Sequence, residues 1–429
     1  MILTDKQQAA VDMVKASPIS ILTGGPGTGK TTACKAILAW AAEKRLAVSC
    51  CAPSGKAAKR MTEATGHQAS TIHSLLGAQM FNGHFTYSYD EYHELECDLL
   101  IVDETSMVSN DLMADLLRAV NLNTRVLLVG DQDQLPSVGA GAVLRDLLTY
   151  DQIPHVELDL PQRNTGDIVA ACHRIKRGRS YSFSDSIDLE NGKNLLHFEI
   201  DDPEEILNAI VTIVADRLPL RGFDPVWDVQ VISPTNEKGR LSCMDINLAL
   251  QQRLNPNAQK ITQEDKYSFF LNDKVIQTKN KRTDVSVMVQ MPWDEAPYRE
   301  TRPGYIVNGD IGRVVEANPE EKQLIINFFT PDRRVKIPSA AQNELLLSYC
   351  LTCHRMQGSE APVVIIPVHK SNSFLMDRSW IYTAISRAQT ICITIGQFSV
   401  IETAIDKKTA NQRITRLPQR LQKTWNPNE

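Results

Sequence analysis

Short apolar runs alternate with amphipathic stretches through the first third of the chain. Ile19–Leu22, Val48–Ala52, Leu99–Val102 and Val126–Val129 are too short for helices and read as buried strands. The segments between them, among them Thr32–Glu43, Lys56–Ala64 and Asp111–Val120, carry helical spacing. This alternation predicts a parallel α/β sheet, with ligand-binding turns just after the strands. Between Gly77 and Glu96 the pattern changes. Asn82-Gly83 is a tight-turn signal, and Phe85, Tyr87 and Tyr89 alternate beyond it, predicting a β-hairpin that projects from the first domain. An ordinary surface hairpin gives the same pattern.

A second α/β pattern is expected from near Val156, with strands at Val229–Ser233, Val363–Pro367 and Ile391–Ile395. Short strands interrupt it: Lys274–Thr278, Ile306–Val307, Gly312–Glu316, Leu324–Phe328 and Arg334–Ile337, with a turn at Asn308-Gly309. They predict a small β-barrel inserted into the second α/β domain. Residues 281–304 are charged and hold Pro292, Trp293, Pro297 and Pro303, and read as a long loop or a minor subdomain.

Composition narrows the class. At 429 residues the chain exceeds one ordinary core, and roughly two to four domains are expected. No apolar run reaches the length of a membrane span, and Met1–Asp5 lacks a charged stretch followed by an apolar one, so a cytoplasmic protein without membrane contact is expected. Nine scattered cysteines with no C-x-x-C pair suit reduced thiols better than a disulfide framework or a zinc site. With a net charge of −5, any nucleic-acid contact must use a local groove.

Gly24-Gly25-Pro26-Gly27-Thr28-Gly29-Lys30-Thr31-Thr32 fits the G-x-x-x-x-G-K-[ST] phosphate-binding pattern, between a strand and a helix. Gly25, Gly27, Thr28, Gly29 and Thr32 then offer backbone N–H groups to phosphates at a helix N-terminus. Lys30 is expected to reach the β- and γ-phosphates of ATP, and the Thr31 hydroxyl to hold Mg²⁺. Leu100-Ile101-Val102-Asp103-Glu104 ends a buried strand in two carboxylates: Asp103 is placed for the magnesium ion and Glu104 to polarise the attacking water. Gln134, in Val129-Gly130-Asp131-Gln132-Asp133-Gln134-Leu135-Pro136, can bond the γ-phosphate and the water together, which would couple nucleotide state to a moving segment.

In this order the motifs resemble a superfamily-1 helicase of the RecD/Dda branch, which moves 5′→3′ on single strands. The resemblance runs from about Leu3 to Gly396. Leu3-Thr4-Asp5-Lys6-Gln7 resembles the Q motif, which implies that Gln7 reads adenine. Cys51-Ala52-Pro53-Ser54-Gly55-Lys56-Ala57-Ala58 resembles motif Ia, and Thr71-Ile72-His73-Ser74-Leu75-Leu76 the next DNA-contact motif. Gly130–Pro136 resembles motif III, Thr352–Glu360 motif V, and Tyr382-Thr383-Ala384-Ile385-Ser386-Arg387-Ala388 motif VI. Leu158–Asn164 is the candidate for the first arginine-finger motif. The sequence starts at the Q motif, without the long N-terminal extension of many RecD-like proteins, so functions tied to that extension are not carried over.

The resemblance implies two RecA-like P-loop domains with parallel sheets, a pin hairpin in the first and an SH3-like barrel in the second. The expected limits are 1–154 with the pin at 77–97, then 155–254 with 346–429, around a barrel at 255–345. Arg163 and Arg387 become arginine fingers, and Gly358 and Glu360 join the nucleotide site. Pro53, Ser54, Lys56, Thr71, His73, Phe85, Thr235, Thr352 and His354 become DNA contacts. The implied activity is an ATP- and Mg²⁺-dependent 5′→3′ DNA helicase in a bacterial or phage-infected cell. Its expected partners are single-stranded DNA, duplex junctions with a 5′ tail, and single-strand-binding or replication and recombination proteins. Three rivals share parts of the pattern: a translocase that does not unwind or that acts on RNA, an ATP-gated binding switch, and a small-molecule kinase. The kinase leaves the second α/β domain and its arginines without a purpose. The basic tail around Lys407, Lys408, Arg413, Arg416, Arg420 and Lys423 reads most simply as a solvated terminal helix.

Overall fold

Six strands form the first sheet, all parallel, in the spatial order Ala69–Thr71, Val48–Ala52, Leu99–Val102, Arg125–Gly130, Ile19–Gly24, His155–Leu158. The computed structural model describes residues 3–81, 84–159, 166–256, 260–263, 268–289, 297–318, 320, 323–329, 332–407, 413 and 415–424. Leu99–Val102 is buried along its whole length, as a parallel strand covered on both faces requires. The N-terminal helix Asp5–Ala16 starts at a reciprocal cap: the Thr4 hydroxyl accepts from Gln7 N, and Thr4 N donates to Gln7 Oε1. The phosphate loop leaves the carboxyl end of Ile19–Gly24 and enters the helix Lys30–Glu43.

His155–Leu158 pairs with Ile19–Gly24, so the first sheet runs to Leu158. The sequence division at 154/155, with a second pattern from Val156, is corrected by one strand. An apolar run shows that a strand exists but not which sheet it joins.

The second sheet is also parallel, in the order Cys350–Thr352, Val229–Ser233, Ala361–Val368, Ala388–Gly396, Leu195–Glu199. The chain leaves it after the helix Cys243–Leu254 and builds an antiparallel sheet of seven strands, which ends at Leu345–Leu347. Alternate residues of Gln323–Phe329 and Asp332–Pro338 are buried, so Leu324, Ile326, Phe328, Val335 and Ile337 form its core. That core is continuous with Ile246, Leu250 and Val231 of the second α/β domain.

Within the charged segment 281–304 the described residues other than Pro297 form strands, while Pro292 and Trp293 lie outside the described residues. Lys281–Val289 and Tyr298–Ile306 pair over nine residues as the longest hairpin of that sheet. Pro303 sits on a strand that is at the edge of its sheet among the described residues, a position where proline is tolerated. The first-domain hairpin is smaller than expected: Gln79–Phe81 pairs with His84–Thr86. Its turn, Asn82-Gly83, lies outside the described residues. Tyr89 is not on the strand; its N–H and that of Ser88 donate to Leu76 O.

Candidate active site and nucleic-acid face

A cavity of about 770 Å³ lies between the two parallel sheets. The first domain lines it with the phosphate loop from Gly25 to Thr32, Asp103, Glu104 and Gln134. The second lines it with Glu360, Tyr382 and Arg387. The loop needs glycine at two points, since Gly27 (φ 69°) and Gly29 (φ 92°) are left-handed. Thr28 folds inward, its hydroxyl donating to Gly25 O at 2.9 Å. Lys30 Nζ donates to Gly24 O at 2.6 Å and Gly25 O at 2.9 Å, a cation held inside the loop where phosphate oxygens can replace the carbonyls.

Asp103 follows its strand directly and accepts from Glu104 N at 2.8 Å. Burial and the adjacent Glu104 push its carboxyl up to about 6, while Lys30 and Arg60 pull the other way. Glu104 is left-handed at φ 50°, unusual for a side chain with a Cβ and the kind of local strain found where a functional group is aimed. The Thr31 hydroxyl and the Asp103 carboxylate are oxygen donors of the class magnesium takes, and the two crowded carboxylates leave negative charge for a divalent ion to offset.

The remaining nucleotide candidates are placed unevenly. Arg387 is buried, with Nε donating to Thr383 O and Nη1 to Ser359 O, both at 3.3 Å. Glu360 pairs with Arg60 across the domains and accepts from Gln389 Nε2 at 3.1 Å. Burial raises its pKa, but Arg60, Gln389 and Arg387 together outweigh burial, and the carboxyl ends below its ordinary value. Gln7 is buried beside the loop with its amide already spent on Thr4 N and Gly29 O (3.3 Å), so it does not line the cavity. Gly358 also stays out, packed instead against Ala57 of the first domain. Arg163 lies outside the described residues.

The two sheets repeat one arrangement at the residues expected to contact nucleic acid. Ser54 and Thr235 lie just beyond the strands Val48–Ala52 and Val229–Ser233, while Thr71 and Thr352 end the strands paired with them, Ala69–Thr71 and Cys350–Thr352. The Ser54 hydroxyl accepts from Ala57 N at 3.2 Å and that of Thr71 from Ser74 N at 3.1 Å, each capping a helix. The Thr235 hydroxyl donates to Lys238 O at 3.1 Å. Pro53 is half-buried at the same edge. His73 touches Phe85 at 4.8 Å between ring centroids, which ties the hairpin to the contact motif; burial lowers the His73 pKa. His354 is exposed, and partial desolvation, with Arg413 nearby, lowers its pKa. Lys56 is half-covered by the inserted β-domain: burial brings its ammonium down to about 8, although Asp310 opposes the shift. Asp310 also pairs with Lys59 at 3.4 Å and with Arg333.

Sequence reading missed several residues at this junction. Arg60 sits one helical turn after Lys56. Lys176 binds Asp133 at 3.0 Å and Glu157 at 2.6 Å. Asp131, Gln357, Tyr382 and Thr383 stood inside recognised motifs without a role, and only their contacts across the domains give them one. The tail is not simply solvated. Arg413 Nη1 donates to Gly139 O at 2.5 Å and Gly141 O at 3.0 Å, and Thr415 bonds Asp146.

Two parallel sheets facing one phosphate loop, with an arginine supplied by the second, define a two-domain P-loop nucleotide-binding protein. Comparison with known proteins narrows the class. A family described as an AAA domain matches residues 2–198, one described as the ATP-dependent RecD-like DNA helicase SH3 domain matches 246–328, and the UvrD-like helicase C-terminal domain matches 347–394. The ATP-dependent RecD2 DNA helicase of Deinococcus radiodurans is 33% identical over 94% of this chain and 50% of its own length. The RecBCD enzyme subunit RecD of Mycolicibacterium smegmatis is 30% identical over 97% of this chain and 75% of its own. A Bacteroides Pif1 helicase in complex with ADP-AlF3 and ssDNA superimposes with a TM-score of 0.53 at 18% identity, over 99% of this chain and 98% of that one, which shows a shared fold. The chain belongs to the RecD-like branch of the superfamily-1 DNA helicases. It spans half the length of the Deinococcus relative.

Proposed function

We propose that the protein is an ATP-dependent 5′→3′ DNA helicase, acting in the bacterial cytoplasm on single-stranded DNA and on duplex junctions with a 5′ tail. One observation carries this reading: phosphate loop, paired carboxylates, Gln134 and Arg387 line a single cavity contributed by two domains. Hydrolysis in such a cavity depends on how the domains meet, and that dependence is what a motor needs. Lys30 leaves the loop carbonyls for the phosphates. Glu104 takes a proton from the attacking water. Arg387 balances charge on the transferring phosphoryl group, an effect worth about 10³–10⁵ in rate for arginine fingers. Thr31 and Asp103 would hold magnesium, which would supply positive charge to offset that of the phosphates. Ser54, Thr71, Thr235 and Thr352 grip the strand in two repeated pairs, one per domain, so closing and opening changes their spacing along it. Such contacts position DNA without reading its sequence. The hairpin at 79–86 meets the duplex, where each base-pair step holds about 1.4 kcal/mol of stacking.

Partial duplexes with a 5′ or a 3′ tail test the reading. With ATP, only the 5′-tailed substrate should lose its short strand, and neither Lys30→Ala nor Glu104→Gln should displace it. Glu104→Gln should keep ATP affinity while kcat falls by at least about 100-fold. Equal displacement from both tails, or wild-type hydrolysis by Glu104→Gln, overturns the proposal.

A further inference from the structure

Asp131 presents an unusual arrangement. Its carboxylate is 1% exposed, yet no lysine or arginine among the described residues pairs with it. Three donors hold it instead: Asp133 N at 3.1 Å, Gln134 Nε2 at 3.3 Å and, from the other domain, the Tyr382 hydroxyl at 2.8 Å. Burying a carboxylate without a cation costs stability. The three donors offset that cost, and one of them comes from the other domain.

The chemistry of the pair dictates the orientation of Gln134. A carboxylate only accepts, so the glutamine must turn its NH₂ toward Asp131 and its carbonyl away. That carbonyl, Oε1, is buried with no hydrogen-bond partner among the described residues, and Gln134 lines the nucleotide cavity. A free acceptor there suits an O–H of the attacking water. Phosphate oxygens, themselves acceptors, suit it poorly.

The neighbouring contacts hold this segment between the domains. Leu135 belongs to the apolar core of the second domain, the cluster that also holds Met356 and Ile381. Its N–H donates to Thr383 Oγ1 at 2.9 Å, and its carbonyl accepts from Gln357 Nε2 at 3.1 Å. The Tyr382 hydroxyl also lies beside the phosphate loop, about 3.1 Å from where a Cβ on Gly25 would stand.

We propose that Tyr382 is a positioning residue: through Asp131 it turns the Gln134 carbonyl toward the attacking water, so that the water is oriented only while the two domains are engaged. The inference rests on the ATP-hydrolysing reading above. Losing the hydroxyl removes one hydrogen bond to a charged group, while Leu135, Thr383 and Gln357 keep the segment docked. Tyr382→Phe should therefore fold, bind ATP and hydrolyse it poorly.

The experiment is a double-mutant cycle on DNA-stimulated ATP hydrolysis with Tyr382→Phe, Gln134→Ala and the pair. Tyr382→Phe should lower kcat about tenfold with KM for ATP within about twofold. In the Gln134→Ala background the same change should cost nothing further, since the group it positions is gone. Asp131→Asn, which keeps size and can present its NH₂ to Gln134, should lower kcat in the same Gln134-dependent way. If Tyr382→Phe leaves kcat unchanged, or costs the same factor with and without Gln134, the proposal is overturned. A wild-type protein that does not hydrolyse ATP in the presence of single-stranded DNA would instead overturn the functional reading itself.

Discussion

Lys274 shows what one buried charge does to this fold. It lies on the strand Lys274–Gln277, where the inserted β-domain meets the second α/β domain, and is 3% exposed. Its Nζ donates to Val229 O at 3.2 Å and Gln230 Oε1 at 3.4 Å and lies over the Trp227 ring. Burial brings its pKa down to about 7, helped by Lys56 and opposed by Asp224 and Asp228. Between pH 7 and the ordinary lysine value the unfolded chain binds the extra proton. Stability from this group is therefore fully present above the unfolded pKa and is lost as pH falls through about 7. Lys274→Met removes the penalty. In urea denaturation it should raise stability most at pH 6, by on the order of 2–4 kcal/mol, and progressively less toward pH 9.5. A gain independent of pH would mean that the lysine is charged and well solvated.

At the scale of elements, the hairpin and the β-domain both lean on the first domain. Two three-residue strands are marginal alone, so the hairpin's stiffness comes from its anchors. Phe85 packs on His73, Tyr87 stacks on Phe85 at 6.4 Å, and Ser88 Oγ donates to Gly77 O at 3.2 Å. Replacing residues 80–87 with a Gly-Ser linker should spare DNA-stimulated ATPase and the displacement of streptavidin from a biotinylated single strand. It should abolish displacement of a paired strand. Unwinding at near wild-type rates after that replacement would assign strand separation elsewhere. The β-domain reaches back in a similar way, with Val307 against Gly55 and Asp310 on Lys59, so an insertion in one α/β domain contacts a DNA-motif helix of the other.

For the whole molecule, a net charge of −5 means that attraction to DNA is local. Counterion release from a few phosphate contacts then sets the salt dependence. The apparent affinity for single-stranded DNA should fall linearly on a log–log plot against salt, with a slope of about −0.7 per phosphate neutralised. ATPase activity should rise at least about tenfold with single-stranded DNA, because the cavity needs groups from both domains. Turnover that ignores nucleic acid would favour a nucleotide-gated switch.

The local pattern of the chain was enough for the phosphate loop, the paired carboxylates and the central strands. Each depends on neighbours in sequence: glycines that permit a tight loop, four apolar residues that bury a strand, a carboxylate at its end. Val48–Ala52, Leu99–Val102 and Val229–Ser233 fall where the apolar runs place them. Motif order also carried the resemblance to the family. Tertiary structure decided the rest. His155–Leu158 joins the first sheet because of a partner more than 130 positions away. Lys281–Val289 and Tyr298–Ile306 look irregular by composition, since no alternation survives along Tyr298–Ile306, yet pairing makes them strands. Gln7 and Gly358 resemble nucleotide contacts by motif, while their packing beside Gly29 and Ala57 is read only from the fold. The roles of Asp131, Tyr382 and Thr383 depend on bonds spanning about 250 residues, and no local pattern encodes a contact that exists only when two domains meet.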